Sequence, residues 1–112
     1  MHEMSVALNI IDIASEHALR NDAGRVISVH LEIGKLSGIE IAPLLNAFNI
    51  AKKGTILADS TANVTQVSPK ATCKDCHTEF EFQDFFSCPY CNGNSIEIIA
   101  GEELRIVSLD VN

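Results

Sequence analysis

Apolar residues recur along the chain with two different periods, and these periods separate predicted helices from predicted strands. From Met4 to about Leu19 an apolar residue returns every three or four positions, which predicts a helix with a broad buried face. From Arg25 to Ile33 apolar and polar residues alternate, which predicts a strand with one buried face. The residues predicted to point inward from this strand are Ile27, Val29, Leu31 and Ile33.

The following part of the chain repeats the order of helix and strand. A second helix is predicted from about Ile41 to Lys52, with Pro43 in its first turn and Gly54 just beyond its end. A weakly patterned strand is predicted from Ala62 to Val67, and a better patterned one from Glu103 to Val111. The apolar stripe of the second helix consists of Ile41, Leu44, Leu45 and Phe48.

These elements predict an α+β fold in which two helices cover one face of a small sheet of about three strands. Residues 70–100 lie between the last two of these strands and contain all four cysteines, so they are predicted to project from the sheet as an inserted zinc-ribbon-like module. The predicted organisation is an α+β domain from residues 1–69 plus 101–112 and a zinc-binding module from residues 70–100.

The composition excludes several functional classes. Apolar residues make up 46% of the chain and charged residues 21%, which is typical of a globular protein. Polar residues interrupt the amino-terminal apolar stretch, so neither a signal peptide nor a membrane span is expected, and we expect a cytoplasmic protein. The net charge of −7 and the absence of a Lys/Arg run argue against nucleic acid as a partner. The expected partners are proteins or cations.

The four cysteines form the most specific motif. Cys73 and Cys76 make one Cys-x-x-Cys pair, and Cys88 and Cys91 make a second pair after a gap of 11 residues. In a reducing compartment this spacing indicates a metal site rather than two disulfides, and four thiolates give Zn²⁺ a closed tetrahedral shell. The zinc is therefore predicted to be structural. The segment between the two pairs is predicted to form a tight hairpin, with residues 79–83 as one of its strands.

Other chemistry fits the cysteine segment less well. Cys73 to His77 spells the haem c attachment string, which leaves the second pair unexplained, and a thioredoxin-like site needs only one pair. His77 could exchange with a thiolate as the pH changes, but we favour the simpler interpretation of a solvated neighbour. Four phenylalanines are expected to form a small apolar core beside the zinc: Phe80, Phe82, Phe85 and Phe86.

The amino terminus presents a second group of metal-binding atoms. A large second residue is expected to prevent removal of Met1, so its amine, the His2 amide nitrogen and the His2 imidazole can form adjacent chelate rings around one ion. A planar, nitrogen-rich set suits Ni²⁺ or Cu²⁺ better than Zn²⁺ or Mg²⁺, and Glu3 could complete the shell. On these residues alone, a solvated terminus without metal remains the default interpretation.

Five strings spread over the whole chain match one known family. They are MHEMS at the start, IGKLSGIE at residues 33–40, KGT at 53–55, the paired cysteine motifs with CPYC at 88–91, and GEELRIVSL at 101–109. Together they resemble the HypA/HybF nickel-insertion accessory proteins of NiFe-hydrogenase maturation. The resemblance is specific because the M-H-E start, the zinc module and the terminal strand coincide.

This resemblance implies a nickel metallochaperone without catalytic activity, with structural zinc and with Ni²⁺ as transient cargo. It implies that Met1, His2 and Glu3 hold nickel within the α+β domain, and the family's acidic residue after the loop glycine corresponds to Glu40. The implied partners are a GTPase accessory protein and the hydrogenase large subunit, with urease as a further client in some bacteria. We expect a monomer or homodimer. Some members flank their zinc cysteines with several histidines, whereas this chain has only His77 there.

Two other classes of function stay open at this point. One is a zinc-ribbon adaptor that binds a protein partner and has no role in nickel transfer. The other is an enzyme that uses its histidines, but His17 and His30 have no nucleophile or acid–base partner that the sequence identifies. Both are expected to be surface or packing histidines.

Overall fold

The structure, a computed structural model, describes residues 2–83 and 86–112. Its elements are α1 (Glu3–Arg20), β1 (Val26–Gly34), α2 (Ile41–Ala51), β2 (Thr61–Val67), β3 (Lys70–Cys73), β4 (Glu79–Glu81), β5 (Ile96–Ala100) and β6 (Leu104–Val111). The helices and strands predicted outside the cysteine segment are confirmed, and each end differs from the prediction by one residue at most. No helix in the described ranges is long and apolar enough to cross a membrane.

The strands form two separate three-stranded sheets. In the first sheet β1 is central, with β2 parallel to it on one side and β6 antiparallel on the other. In the second sheet β3 is central, between antiparallel β4 and β5. The chain leaves the first sheet after β2 and returns to it as β6, so the second sheet is an insertion between two strands of the first, as predicted.

The main apolar core lies between the two helices and the first sheet. Ala7 and Ala14 of α1 are fully buried, and their small side chains let α1 pack closely against its neighbours. Leu44 and Phe48 of α2 are at most 1% exposed, and burial of each such side chain contributes about 1.5–3 kcal/mol. The core therefore fixes the two helices relative to each other and to β1.

The start of β1 departs from the predicted alternation. Ile27 is 45% exposed, whereas Ser28, which was expected on the polar face, is 7% exposed. The register of β1 against β6 shifts between Val26 and Ser28, and such a bulge exchanges the two faces of a strand locally. Further along β1, the burial of Val29 and the later apolar residues is confirmed.

The buried face of α2 also differs in part from the predicted apolar stripe. Ala47 occupies a core position that the apolar pattern did not emphasise, while Ile41 and Leu45 are only half-buried.

Glycines allow the two sheets to be joined by close backbone contact. The turn after β1 bonds both segments that connect the sheets: the Lys35 N–H donates to the Val67 carbonyl at 3.0 Å, and the Leu36 N–H donates to the Gly101 carbonyl at 2.7 Å. A Cβ added to Gly34 would lie 1.9 Å from the Gly101 carbonyl oxygen. Gly101 itself has a φ of 109°, which favours glycine. The loop between β1 and α2 is thereby anchored at this junction.

Candidate metal centres

Four cysteine side chains from two turns converge at one end of the second sheet. Their Sγ atoms all lie within 4.8 Å of one another, and the Cys73–Cys91 and Cys76–Cys88 pairs are each 3.6 Å apart. Zn–S bonds of about 2.3 Å in a tetrahedron place the sulfur atoms about 3.8 Å apart. The cluster therefore has the size of a four-thiolate zinc site, and all four cysteines are free of disulfides.

Each cysteine pair sits on a turn that its own sequence produces. The His77 N–H donates to the Cys73 carbonyl at 2.8 Å, and the Asn92 N–H donates to the Cys88 carbonyl at 2.9 Å. His77 and Asn92 have φ values of 61° and 59°, in the left-handed region that asparagine tolerates better than most residues. Gly93 follows, with its N–H 3.4 Å from the Cys91 Sγ. The two turns thus direct paired thiols to one centre.

The thiol pKa values diverge within the cluster because four ionised thiols cannot share so small a volume without a cation. Hydrogen bonding to Thr78 lowers the pKa of Cys76 to about 6. A hydrogen bond from the Gly93 N–H lowers the pKa of Cys91, but the neighbouring thiols, Cys73 foremost, raise it to about 12 overall. A divalent cation removes this conflict, since it binds all four groups as thiolates. The donor set fits Zn²⁺.

The apolar core predicted beside the cysteines is smaller than expected. Phe82 is 7% exposed, but Phe86 is 66% exposed and only meets the Phe82 ring edge-on, with 5.1 Å between centroids. Phe80 is half-buried, and Phe85 lies outside the described residues. His77 is exposed and is not one of the clustered ligands.

The amino end of α1 leaves backbone nitrogens available. His2 is the N-cap residue of α1, and its carbonyl accepts a hydrogen bond from Val6 at 3.2 Å. The first N–H groups of a helix have no partners within it, so the amides of His2 and Glu3 make no helical hydrogen bond. The His2 side chain is exposed. Met1 lies outside the described residues.

Glu40 lies next to Glu3, although the two residues are far apart in sequence. It is the N-cap residue of α2, and its backbone nitrogen lies 3.5 Å from Oε2 of Glu3, 37 positions away in sequence. The amino ends of the two helices therefore meet. The side-chain donor atoms of His2, Glu3 and Glu40 do not lie within one 4.8 Å cluster; of the described residues, only the four cysteines do.

His30 has a partner that the sequence did not indicate. Its Nε2 lies 2.8 Å from Oδ2 of Asp110, which also accepts a hydrogen bond from the Ser28 hydroxyl. These hydrogen bonds, that of Ser28 first, lower the pKa of Asp110. Serine and histidine bond the same carboxylate oxygen, whereas a catalytic triad places the histidine between the other two. Ser28 and Asp110 are paired in the register of β1 and β6, which brings these three side chains together. Their hydrogen bonds help to hold β6 against β1.

Comparison with known proteins decides the family. A family model described as "Hydrogenase/urease nickel incorporation, metallochaperone, hypA" matches residues 1–111. The chain belongs to the HypA family. HypA proteins are nickel-incorporation metallochaperones of hydrogenase maturation, so the chain is a maturation factor and not an enzyme. The match spans both sheets, and it gives no support to an adaptor unrelated to nickel.

Curated relatives and solved structures of HypA agree with this assignment. The hydrogenase maturation factor HypA of Chloroflexus aurantiacus is 38% identical over 112 residues, which cover 98% of each chain. That of Prosthecochloris aestuarii is 36% identical over 110 residues, which cover 97% of each chain. A solution structure of the Ni metallochaperone HypA from Helicobacter pylori has a TM-score of 0.73 and 28% identity, over 99% of this chain and 97% of that one. A second solution structure of a HypA protein has a TM-score of 0.78 and 28% identity, over 100% of this chain and 97% of the other.

Proposed function

We propose that this HypA chain binds Ni²⁺ at its amino terminus and delivers it to a hydrogenase, while zinc stabilises the second sheet. The proposed nickel ligands are the Met1 amine, the amide and imidazole nitrogens of His2, and Glu3, with Glu40 as a further acidic ligand. The observation that supports this site best is the 3.5 Å approach of Glu3 to Glu40, which brings a second carboxylate-bearing residue to the terminus.

The electrostatics of this place favour negatively charged ligands for a bound cation. Two helix amino ends meet there, and each carries a partial positive charge that disfavours a cation. Glu3 supplies negative charge at this point, Glu40 lies next to it through its backbone N–H, and a deprotonated His2 amide would supply more negative charge. This negative charge offsets the helix dipoles and leaves the nitrogen-rich geometry that Ni²⁺ prefers.

Delivery requires that nickel leave the site readily. We expect a dissociation constant on the order of micromolar, which corresponds to about 8 kcal/mol. Structural zinc bound by thiolates is held more tightly, at about 10–16 kcal/mol. A free α-amino group has a pKa of about 7.7–8.0, so protons compete with nickel near neutral pH. Acidification is therefore expected to release nickel before zinc.

Zinc is the metal that best explains how the second sheet is held together. Its strands contain only four, three and five residues, and the described buried residues within it are Ala71, Phe82, Cys73 and Cys88. So few buried apolar groups do not stabilise a module of this size without a metal or disulfides. Bound to Cys73, Cys76, Cys88 and Cys91, Zn²⁺ would have a closed shell and a structural role.

The partners proposed from this function are a GTPase accessory protein and the hydrogenase large subunit, with urease as a second client. Membership of a hydrogenase maturation family supports partners of this pathway. We also propose that nickel binding belongs to residues 1–69 plus 101–112, that zinc binding belongs to residues 70–100, and that the protein works in the cytoplasm.

Calorimetric nickel titration of the zinc-loaded protein tests the terminal site. We expect about one nickel per chain for the wild type and for His17→Ala, which changes an exposed histidine on α1 and serves as the matched control. We expect at least about a hundredfold weaker binding for His2→Ala and for a variant with one residue added before Met1. Equal affinity in all four proteins would show that nickel binds elsewhere.

A further inference from the structure

Aromatic residues concentrate in one short segment of the chain. The whole chain contains five phenylalanines and one tyrosine, and five of these six residues lie at positions 80–90. Of those that the structure describes, only Phe82 is buried, whereas Phe86 is 66% exposed and Tyr90 is 70% exposed. Exposed aromatic side chains are enriched at the centres of protein interfaces, where they lose much apolar area at little entropic cost.

Phe80 and Tyr90 are among the residues that border a depression between β4 and the second cysteine turn. The depression has a volume of about 280 Å³. The residues that line it are Phe80, Glu81, Gln83, Ser87, Pro89 and Tyr90. Its lining residues therefore include two aromatic residues, one proline and one acidic residue, Glu81.

That carboxylate is available to a partner. Glu81 forms no ion pair of 4.0 Å or less within the described part of the chain, although Lys70 lies opposite it in the register of β3 and β4. The other lysine within residues 70–100 is Lys74, and its Nζ lies 3.9 Å from Oε2 of Glu97. Glu79, two residues before Glu81 on the same strand, points to the same side and adds negative charge.

We propose that this depression binds an arginine side chain carried by an apolar segment of a partner protein. A planar guanidinium can stack on the exposed Tyr90 ring and donate two parallel hydrogen bonds to Glu81. Phe80 directly precedes Glu81 on β4, so its side chain points to the opposite face of the strand. A lysine ammonium lacks the planar fork for both contacts. Apolar residues flanking the arginine would cover Pro89 and the exposed Phe86. The site requires no nickel and is independent of the function proposed for the amino terminus.

The overall charge favours this occupant over a second copy of the chain. The net charge is −7, which attracts a basic partner and opposes self-association. Arg20 and Arg105 already bond Glu16 and Glu32 of their own chain, whereas Arg25 forms no ion pair with the described residues, so the net charge is what disfavours a second copy. A basic segment of another protein therefore complements the depression better.

Amide NMR titration of the full-length, zinc-loaded chain tests the proposal. The probes are the capped peptides Leu-Arg-Leu, Leu-Lys-Leu and Leu-citrulline-Leu, of which the last keeps the shape of arginine without its charge. We expect the arginine peptide to shift amide signals of residues 79–83, 87–88 and 90–91, and to bind at least about threefold more tightly than either alternative. Glu81→Gln and Tyr90→Ala should each weaken it by about threefold to tenfold.

Ile50→Ala serves as the matched control, because Ile50 is 60% exposed on α2, outside the second sheet. This variant should bind the arginine peptide as the wild type does. Unchanged zinc content in Glu81→Gln and Tyr90→Ala will show that the cysteine turns are intact. The proposal is wrong if the citrulline or lysine peptide binds as tightly as the arginine peptide, if Glu81→Gln has no effect, or if no peptide binds. Concentration-dependent shifts at these residues without peptide would assign the surface to self-association and would also overturn it.

Discussion

Substitution of Gly34 by alanine tests the backbone junction that joins the two sheets. The added Cβ would lie 1.9 Å from the carbonyl oxygen of Gly101, 2.1 Å from its carbonyl carbon and 2.6 Å from the Glu102 nitrogen. All three are backbone atoms, so no flexible side chain can move aside. The β1 turn and the segment entering β6 would have to separate.

The expected loss of stability follows from the contacts at this crossing. Overpacking in a tight interior typically costs about 1–3 kcal/mol. Separation would also weaken two backbone hydrogen bonds, from Gly34 to Glu103 at 2.8 Å and from Leu36 to Gly101 at 2.7 Å. Each such bond contributes about 1 kcal/mol, so we expect Gly34→Ala to lower the free energy of unfolding by about 3 kcal/mol. This loss is a large part of the total free energy of unfolding of a typical domain, which is about 5–15 kcal/mol.

Urea unfolding followed by far-ultraviolet circular dichroism measures this loss. Gly24→Ala is the matched control, because a Cβ there meets only the Asn112 carbonyl oxygen at 3.9 Å, an ordinary contact distance. We expect the control to unfold within about 1 kcal/mol of the wild type. A Gly34→Ala protein as stable as Gly24→Ala would refute the argument that close backbone contact joins the sheets.

Three further predictions concern the metal sites and the strand pairing. Cys88→Ser should reduce bound zinc from about one per chain to near zero and abolish amide dispersion for residues 70–100, while Ser87→Ala, its exposed neighbour, should retain zinc in metal analysis. Asp110 has a lowered pKa in the folded state, so its stabilising effect is present above its unfolded pKa of about 3.9 and is lost as the pH falls through the folded pKa. In Asp110→Asn, the urea midpoint of unfolding, measured from neutral pH downward, should therefore fall less steeply with decreasing pH than in the wild type. Nickel affinity should fall as the pH is lowered from about 8 to about 6 while zinc content stays constant, and a pH-independent affinity in calorimetry would argue against amine and imidazole ligands.

The main helices and strands could be predicted because each carries its own periodic pattern. The apolar period of α1 and the alternation of β6 are local properties, and their ends were placed to within one residue. The bulge at Ser28 was not predictable, because it arises from the pairing of β1 with a strand 82 positions away. Strands β3 and β5 were missed because four or five residues are too few to show a period, and their pairing depends on the cysteine turns.

The candidate sites show the same division between local and long-range information. The spacing of the cysteines predicted the thiolate cluster, and the position of His2 behind the terminal amine suggested a chelate without any knowledge of the fold. The approach of Glu40 to Glu3 depends on how α1 packs against α2, so no pattern within either segment contains it. The pairing of His30 with Asp110 was missed for the same reason.

Nickel K-edge X-ray absorption of the zinc-loaded chain with one equivalent of Ni²⁺ tests the central claim most directly. The proposed amino-terminal ligands are all nitrogen and oxygen atoms, whereas the four-cysteine cluster offers only sulfur. We predict a first shell of nitrogen and oxygen atoms with the edge features of a planar or tetragonal centre. A shell dominated by sulfur would place the nickel in the cysteine cluster and contradict the account.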